Sequence, residues 1–268
     1  MKVFLLAGQS NMQGFGKIAG YPVLCDDRIF NLATGRAEIA VEPLHHWAEH
    51  PYMPDGIGLG LAMPFALEVL KVYPDISIGF IPAARGGSSL DQWMPGNENF
   101  ERAIGLFERA VKNNPDIEVG GILWHQGEAD SAKTETSRTY GERFLKIING
   151  FRERLCAPEA PVVAGELGRY PSLTPYSCER DTVVNQTKEA ISSLKNAAFA
   201  SSRGLICEGL HFDTESIREF GVRYAKAYLD IMKQKRYMNE YYCKSGIDGL
   251  INNWRISNDG TRLASFCG

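Results

Sequence analysis

Apolar residues along the chain fall into two kinds of segment. Short uninterrupted runs occur at 2–7, 76–82, 119–125, 160–166 and 196–200. Their length suits strands, and their lack of a polar face suits a parallel sheet covered by helices on both sides. Between them apolar positions recur at three- and four-residue steps. Phe100, Ile104, Phe107 and Val111 mark 100–112, and Tyr140, Phe144, Ile147, Ile148, Phe151 and Leu155 mark 140–155. Ile217, Phe220, Tyr224, Tyr228 and Ile231 mark 214–235, with Asp213 or Thr214 placed to cap that helix. A further helix is expected over about 61–73, Pro64 lying in its first turn. Strand and helix patterns that alternate in this way predict an α/β fold with a largely parallel sheet. Residues 26–58 form a long excursion with a small hairpin expected at 28–41, and the tail from about 237 has no clear period.

Composition narrows the function without naming it. With 268 residues, 44% of them hydrophobic and 23% charged, the chain can bury a full core. The expected organisation is one domain over 1–235 with a tail, 236–268, packed on it. A net charge of −3 provides no basic field for nucleic acid or an anionic membrane, and no apolar run reaches bilayer-spanning length. The first apolar run is too short for a signal peptide, so the sequence as it stands reads as cytoplasmic, or as secreted or periplasmic if a leader has been trimmed. The six cysteines at 25, 156, 178, 207, 243 and 267 form no Cys-x-x-Cys pair and read as free thiols. His45, His46 and His50 cluster by count but lack an acidic or cysteine partner at a zinc-site spacing. No metal or organic cofactor is expected.

Open parallel sheets bind ligands beyond the C-terminal ends of their strands. The first run leads into Gly8-Gln9-Ser10-Asn11-Met12, where a serine on a tight strand-to-helix turn is either a helix cap or a presented nucleophile. The run at 76–82 leads into Ala84-Arg85-Gly86-Gly87-Ser88, whose paired glycines form a plain turn or let a backbone amide approach a ligand; Trp93 follows. The run at 119–125 exits through Trp124-His125-Gln126-Gly127-Glu128-Ala129-Asp130, more polar than packing alone asks for. Before the last long helix comes Glu208-Gly209-Leu210-His211-Phe212-Asp213, a histidine three residues after a carboxylate. Such a histidine is either a surface residue or a general base held by its acid.

Taken together and in this order, the four segments resemble the block pattern of the SGNH hydrolases, and their wording is closest to the sialate O-acetylesterase and acetyl-xylan-esterase-like branch. The segments Ala40-Val41-Glu42-Pro43-Leu44 and Gly56-Ile57-Gly58-Leu59-Gly60 also resemble that branch, and the likeness extends over roughly 1–235. The resemblance implies a three-layer α/β/α sandwich, flavodoxin-like, around a mostly parallel five-stranded sheet. It implies Ser10 as nucleophile, His211 as general base, and an oxyanion hole built from Ser10, Gly86 or Gly87, and the Gln126 side chain. The branch usually has aspartate three residues before the histidine; this chain has Glu208, so Glu208 is the expected acid, with Glu128, Asp213 or a bare Ser10–His211 pair as alternatives. Gln9, Asn11, Arg85, Trp93 and Glu128 are the expected substrate contacts. Trp47, Trp93 and Trp124 either stack on sugar rings or fill the core. The expected partner is an acetylated carbohydrate; a lipase- or thioesterase-type enzyme and a non-catalytic carbohydrate-binding protein are the rival readings.

Overall fold

The computed structural model describes residues 1–45, 57–170 and 174–245. In chain order the elements begin with β1 (Lys2–Gly8), α1 (Ser10–Gln13), β2 (Cys25–Asn31) and β3 (Glu38–Val41). Next come α2 (Ala62–Val72), β4 (Ile78–Pro82), α3 (Leu90–Trp93), α4 (Glu98–Asn113) and β5 (Glu118–His125). Then follow α5 (Thr134–Arg138), α6 (Tyr140–Arg154), β6 (Val162–Gly165), α7 (Arg180–Ser193), β7 (Ala197–Ala200), β8 (Cys207–Glu208), β9 (His211–Phe212) and α8 (Thr214–Ser245). The chain divides into two units, Met1–Ile231 and Met232–Gly268. In the second, the structure describes the run of α8 to Ser245, where the sequence pattern had no period to offer.

The main sheet has seven strands, not the expected five, in the order β3-β2-β4-β1-β5-β6-β7. The hairpin expected at 28–41 accounts for the difference: β2 and β3 pair antiparallel, and β2 joins β4 in parallel, extending one edge. The pairings β4–β1, β1–β5, β5–β6 and β6–β7 are all parallel.

Alternation along β1 shows why both faces of the sheet had to be apolar. Val3, Leu5 and Ala7 belong to a cluster with Trp93, Phe100, Phe144, Phe151 and Val183, contributed by α3, α4, α6 and α7. Phe4 points the other way, edge-on to Phe65 of α2 and Tyr228 of α8. Two helical layers therefore cover one sheet. The helix α7, which the sequence pattern had not indicated, buries Val183, Val184, Ala190 and Ile191. These are small residues interleaved with polar ones, so its apolar stripe contrasts weakly with the rest.

β1 is the central strand; the chain lays β2, β3 and β4 on one side of it and then crosses to the other side for β5, β6 and β7. That is the switch point at which such sheets open a crevice beyond the strand ends. Ser10 stands there.

Candidate active site

Gly8 closes β1 with φ +130, and a Cβ built on it would lie 2.0 Å from the His125 carbonyl oxygen. Only glycine permits β1 and β5 to run this close at their C-terminal ends. The turn is then tied on both sides: Gln9 N–H donates to His125 O at 2.8 Å, and Arg85 N–H donates to Gly8 O at 2.9 Å. The chain enters α1 at Ser10, whose N–H, as the first of a helix, has no intrahelical acceptor. Ser10 is 5% exposed, and its Oγ lies 2.9 Å from His211 Nε2. Two residues 201 positions apart thus form a hydroxyl–imidazole pair with the geometry general-base activation needs.

His211 sits on a ribbon of only two residue pairs, Cys207 with Phe212 and Glu208 with His211. Gly209, with φ +63, occupies the first position of its two-residue turn, the place where a tight hairpin asks for glycine. Ordering each residue costs roughly 1–2 kcal/mol, while a hydrogen bond contributes about 1, so so short a ribbon does not hold itself. Asn11 holds it. Its Oδ1 accepts from Phe212 N–H at 3.1 Å, and its Nδ2 donates to Leu210 O at 3.1 Å, so one side chain grips the backbone on both sides of His211. The other hydrogen of Nδ2 goes to Glu128 Oε1 at 2.7 Å. A carboxylate only accepts, so Glu128 dictates which end of the Asn11 amide faces it, and thereby aims Oδ1 at Phe212. The Phe15 ring stacks on the imidazole, with centroids 4.0 Å apart.

Glu128 is 2% exposed. Burial pushes its carboxyl up, but the His125 imidazole, whose Nε2 lies 3.7 Å from Oε1, and the Asn11 amide outweigh this and hold it below the usual glutamate range. His125 is anchored in turn by a 3.2 Å bond between Nδ1 and Tyr224 OH. Tyr224 OH also donates to Trp124 O at 2.7 Å.

Several residues expected at the site are engaged by other partners. The Glu208 carboxylate pairs with Lys17 Nζ at 2.8 Å, both side chains more than half exposed. Directly paired residues of a ribbon share a face, but Lys17 draws this carboxylate outward, and the Lys17 ammonium is held above its usual range by it. Asp213 caps α8, its Oδ1 accepting from Ser216 N–H at 2.7 Å.

The Gln126 amide faces inward. Both of its hydrogens are engaged, at Ser88 O (3.0 Å) and Asp130 Oδ2 (2.7 Å), and Tyr140 OH lies 3.0 Å from its Oε1. Asp130, fully buried, also accepts from Leu90 N–H at 2.8 Å and from Arg143 Nη2 at 2.8 Å. This network braces the turn that carries Gly86 and Gly87 rather than facing the space beside Ser10.

Trp93 is fully buried and donates from Nε1 to Ser88 Oγ at 2.8 Å, and Trp124 is buried against it; both are core residues. Arg85 is half exposed, 3.7 Å from Glu98. Gln9 is buried, with its Oε1 within 3.4 Å of the Gly127 and Ala129 N–H groups. His46, Trp47, His50 and Gly56 lie outside the described residues. Among the described residues no group of three His, Cys, Asp or Glu side chains is arranged to hold a metal ion.

Sequence reasoning missed Asn11 as the clamp on the histidine ribbon, and Lys17 as the partner of Glu208. The only signal for the first was its place beside Ser10.

A three-layer sandwich with a serine at the end of its central strand, 2.9 Å from a histidine just before the last helix, defines a hydrolase of the SGNH class. A family model described as carbohydrate esterase, sialic acid-specific acetylesterase, matches residues 1–230, and the chain belongs to that family. It is 28% identical over 250 residues to a probable carbohydrate esterase of Arabidopsis thaliana, covering 85% of this chain and 90% of that protein. An X-ray structure of an Arabidopsis thaliana protein matches with a TM-score of 0.73 at 25% identity, over 85% of this chain and 98% of that one. Two more distant structures share the fold. NanS matches with a TM-score of 0.67 at 17% identity, over 87% of this chain and 98% of its own. A carbohydrate acetylesterase from Xanthomonas citri matches with a TM-score of 0.56 at 20% identity, over 84% of this chain and 55% of its own. The protein is a carboxylic ester hydrolase of the carbohydrate esterase kind.

Proposed function

We propose that the protein removes O-acetyl groups from a carbohydrate through an acetyl-enzyme on Ser10, and that the unit Met1–Ile231 carries the reaction. The observation that supports this best is the 2.9 Å contact between Ser10 Oγ and His211 Nε2 at the open end of the central strand. His211 takes the hydroxyl proton as Oγ attacks the acetyl carbonyl, and the carbon becomes tetrahedral with the charge on its oxygen. The Ser10 N–H, free of a helical acceptor, and a backbone N–H of the Gly86-Gly87 turn are the donors for that oxygen; each such donor is worth roughly a hundred- to a thousandfold in rate. The C–O bond then breaks, the sugar oxygen leaves with the proton from His211, and water attacks the acetyl-enzyme by the same route to release acetate.

Gln126 acts in this scheme as a brace, its hydrogens already committed inside the protein. Asn11 and Glu128 set the position of the base and do not contact substrate. The 230 Å³ cavity beside His211 is walled by Lys17, Glu208, Asp213 and Glu215 as well as by Phe15 and Tyr21. Such walls fit hydroxyl-rich sugar better than an acyl chain, which favours a carbohydrate ester over a lipid or thioester.

Acetate release from a panel of acetylated sugars, set beside a butyrate and an octanoate ester, tests this reading. Turnover confined to acetyl esters and greatest on a sugar is the expected result; faster turnover of the octanoate would overturn the substrate class.

A further inference from the structure

The small cavity that contains His211 does not end the cleft. A second and larger cavity, 740 Å³, lies between α2, α8 and the segment 21–28, and Tyr21 and Glu215 line both. Resting on the reading of Ser10 and His211 as the reactive pair, we propose that this groove is a glycan-binding extension of the active site. The acetylated sugar sits at His211, and further residues of a net-uncharged oligosaccharide run past Tyr21 into the groove.

The wall at the junction is built to be rigid. Glu42 is buried, and its Oε2 accepts from Leu24 N–H at 3.0 Å and pairs with Arg218 Nη2 at 3.1 Å. Arg218 in turn bonds Pro22 O and places its guanidinium over the Tyr21 ring, 5.9 Å from the centroid. A buried carboxylate thus fixes a cation, and the cation fixes a half-buried aromatic ring where the two cavities meet. A ring already held in place loses little freedom when a sugar packs on it.

Beyond Tyr21 the groove combines apolar Leu24, Leu67 and Val222 with charged Arg28, Glu68 and Lys71. A pyranose or furanose chain presents the matching pattern of C–H faces and hydroxyl edges. The charges largely cancel: Arg28 pairs with Asp26 at 2.7 Å, Lys71 with Glu68, and Arg218 with Glu42. Among the described residues that line the groove, no block of uncompensated cations offers itself to a polyanion, and the pairs remain able to bond hydroxyls. A volume of 740 Å³ lies well within the range of built ligand sites and, with the 230 Å³ beside His211, exceeds what one acetylated monosaccharide fills.

The test compares kcat/KM on 4-nitrophenyl acetate with that on acetylated xylo-, cello- and manno-oligosaccharides of one to four residues, using wild type, Leu67→Trp and Val222→Trp. Both substitutions fill the groove without touching the cavity at His211. In wild type, kcat/KM is expected to rise about tenfold or more with chain length in at least one series. In both variants that rise should disappear while 4-nitrophenyl acetate is hydrolysed as before. Hydrolysis of 4-nitrophenyl acetate with no dependence on chain length in any series would overturn the groove assignment alone. Loss of the small ester together with the oligosaccharides in both variants, with the fold retained by circular dichroism, would also overturn it. Failure of wild type on every ester would instead remove the esterase reading on which the groove rests.

Discussion

At the scale of single residues, Asn11 holds the short ribbon that carries the histidine. Its two backbone bonds flank His211, and Glu128 fixes the amide that makes them. If orientation is the contribution of Glu128, an acceptor at that position matters more than its charge. Glu128→Gln should therefore retain activity within about tenfold, whereas Glu128→Ala should lower kcat about a hundredfold with little change in KM. Hydrogen exchange reads the same event without substrate: the Phe212 amide should lose protection in Glu128→Ala and keep it in Glu128→Gln. Equal losses in the two variants would point to a charge effect instead. Glu208 is engaged by Lys17, so Glu208→Gln should slow ester hydrolysis by less than about tenfold, against a loss of roughly a hundredfold or more for His211→Ala. Equal rates for those two variants would show that the carboxylate reaches the imidazole during turnover.

At the scale of elements, the approach of β1 to β5 sets the position of everything beyond it. Gly8→Ala places a Cβ 2.0 Å from the His125 oxygen in a backbone conformation with φ +130. Urea unfolding should show a loss of about 2–4 kcal/mol, and an unchanged midpoint would mean that the strands separate at no cost.

The elements were also where the sequence could be read best. The runs at 2–7, 76–82 and 119–125 become β1, β4 and β5 within two residues, because strands buried on both faces carry their signal locally. The residue pairing of Ser10 with His211 followed from the block pattern. What escaped the sequence depended on partners far along the chain. Lys17 lies 191 positions from Glu208, and Asn11 lies 117 from Glu128. Gln126 offered an amide at a strand end, but whether its hydrogens face a ligand or the core is decided by Ser88 and Asp130 on other elements. The edge strand β3 and its neighbour β2 are more exposed, with a polar run of Asp26, Asp27 and Arg28, so the sequence indicated a small hairpin at 28–41 but not that it joins the main sheet.

At the scale of the whole molecule, the packing that closes the sandwich also shields Cys207, whereas Cys25, Cys156 and Cys178 are exposed. Burial pushes the Cys207 thiol up to about 12 from its ordinary value of 9.0, and the nearby Glu128 charge adds to this. A thiol raised in the folded state contributes stability that is complete below pH 9 and is lost as pH rises from 9 toward 12, because the unfolded chain gives up that proton first. Cys207→Ala should therefore flatten the fall in urea midpoint above pH 9. Iodoacetamide at pH 8 followed by peptide mass spectrometry should modify Cys25, Cys156 and Cys178 and spare Cys207 until the protein unfolds. Modification of Cys207 at the rate of the exposed thiols would contradict the burial of the β8–β9 ribbon. Among the described residues no helix is long and apolar enough to cross a membrane.

The central claim is that Ser10 is the nucleophile, and hydrolysis of 4-nitrophenyl acetate by wild type beside Ser10→Ala tests it most directly. The structure predicts steady turnover by wild type and a loss of about a thousandfold or more in the variant, whose melting temperature should stay close to that of wild type. A Ser10→Ala enzyme that hydrolyses the ester at the wild-type rate would contradict it.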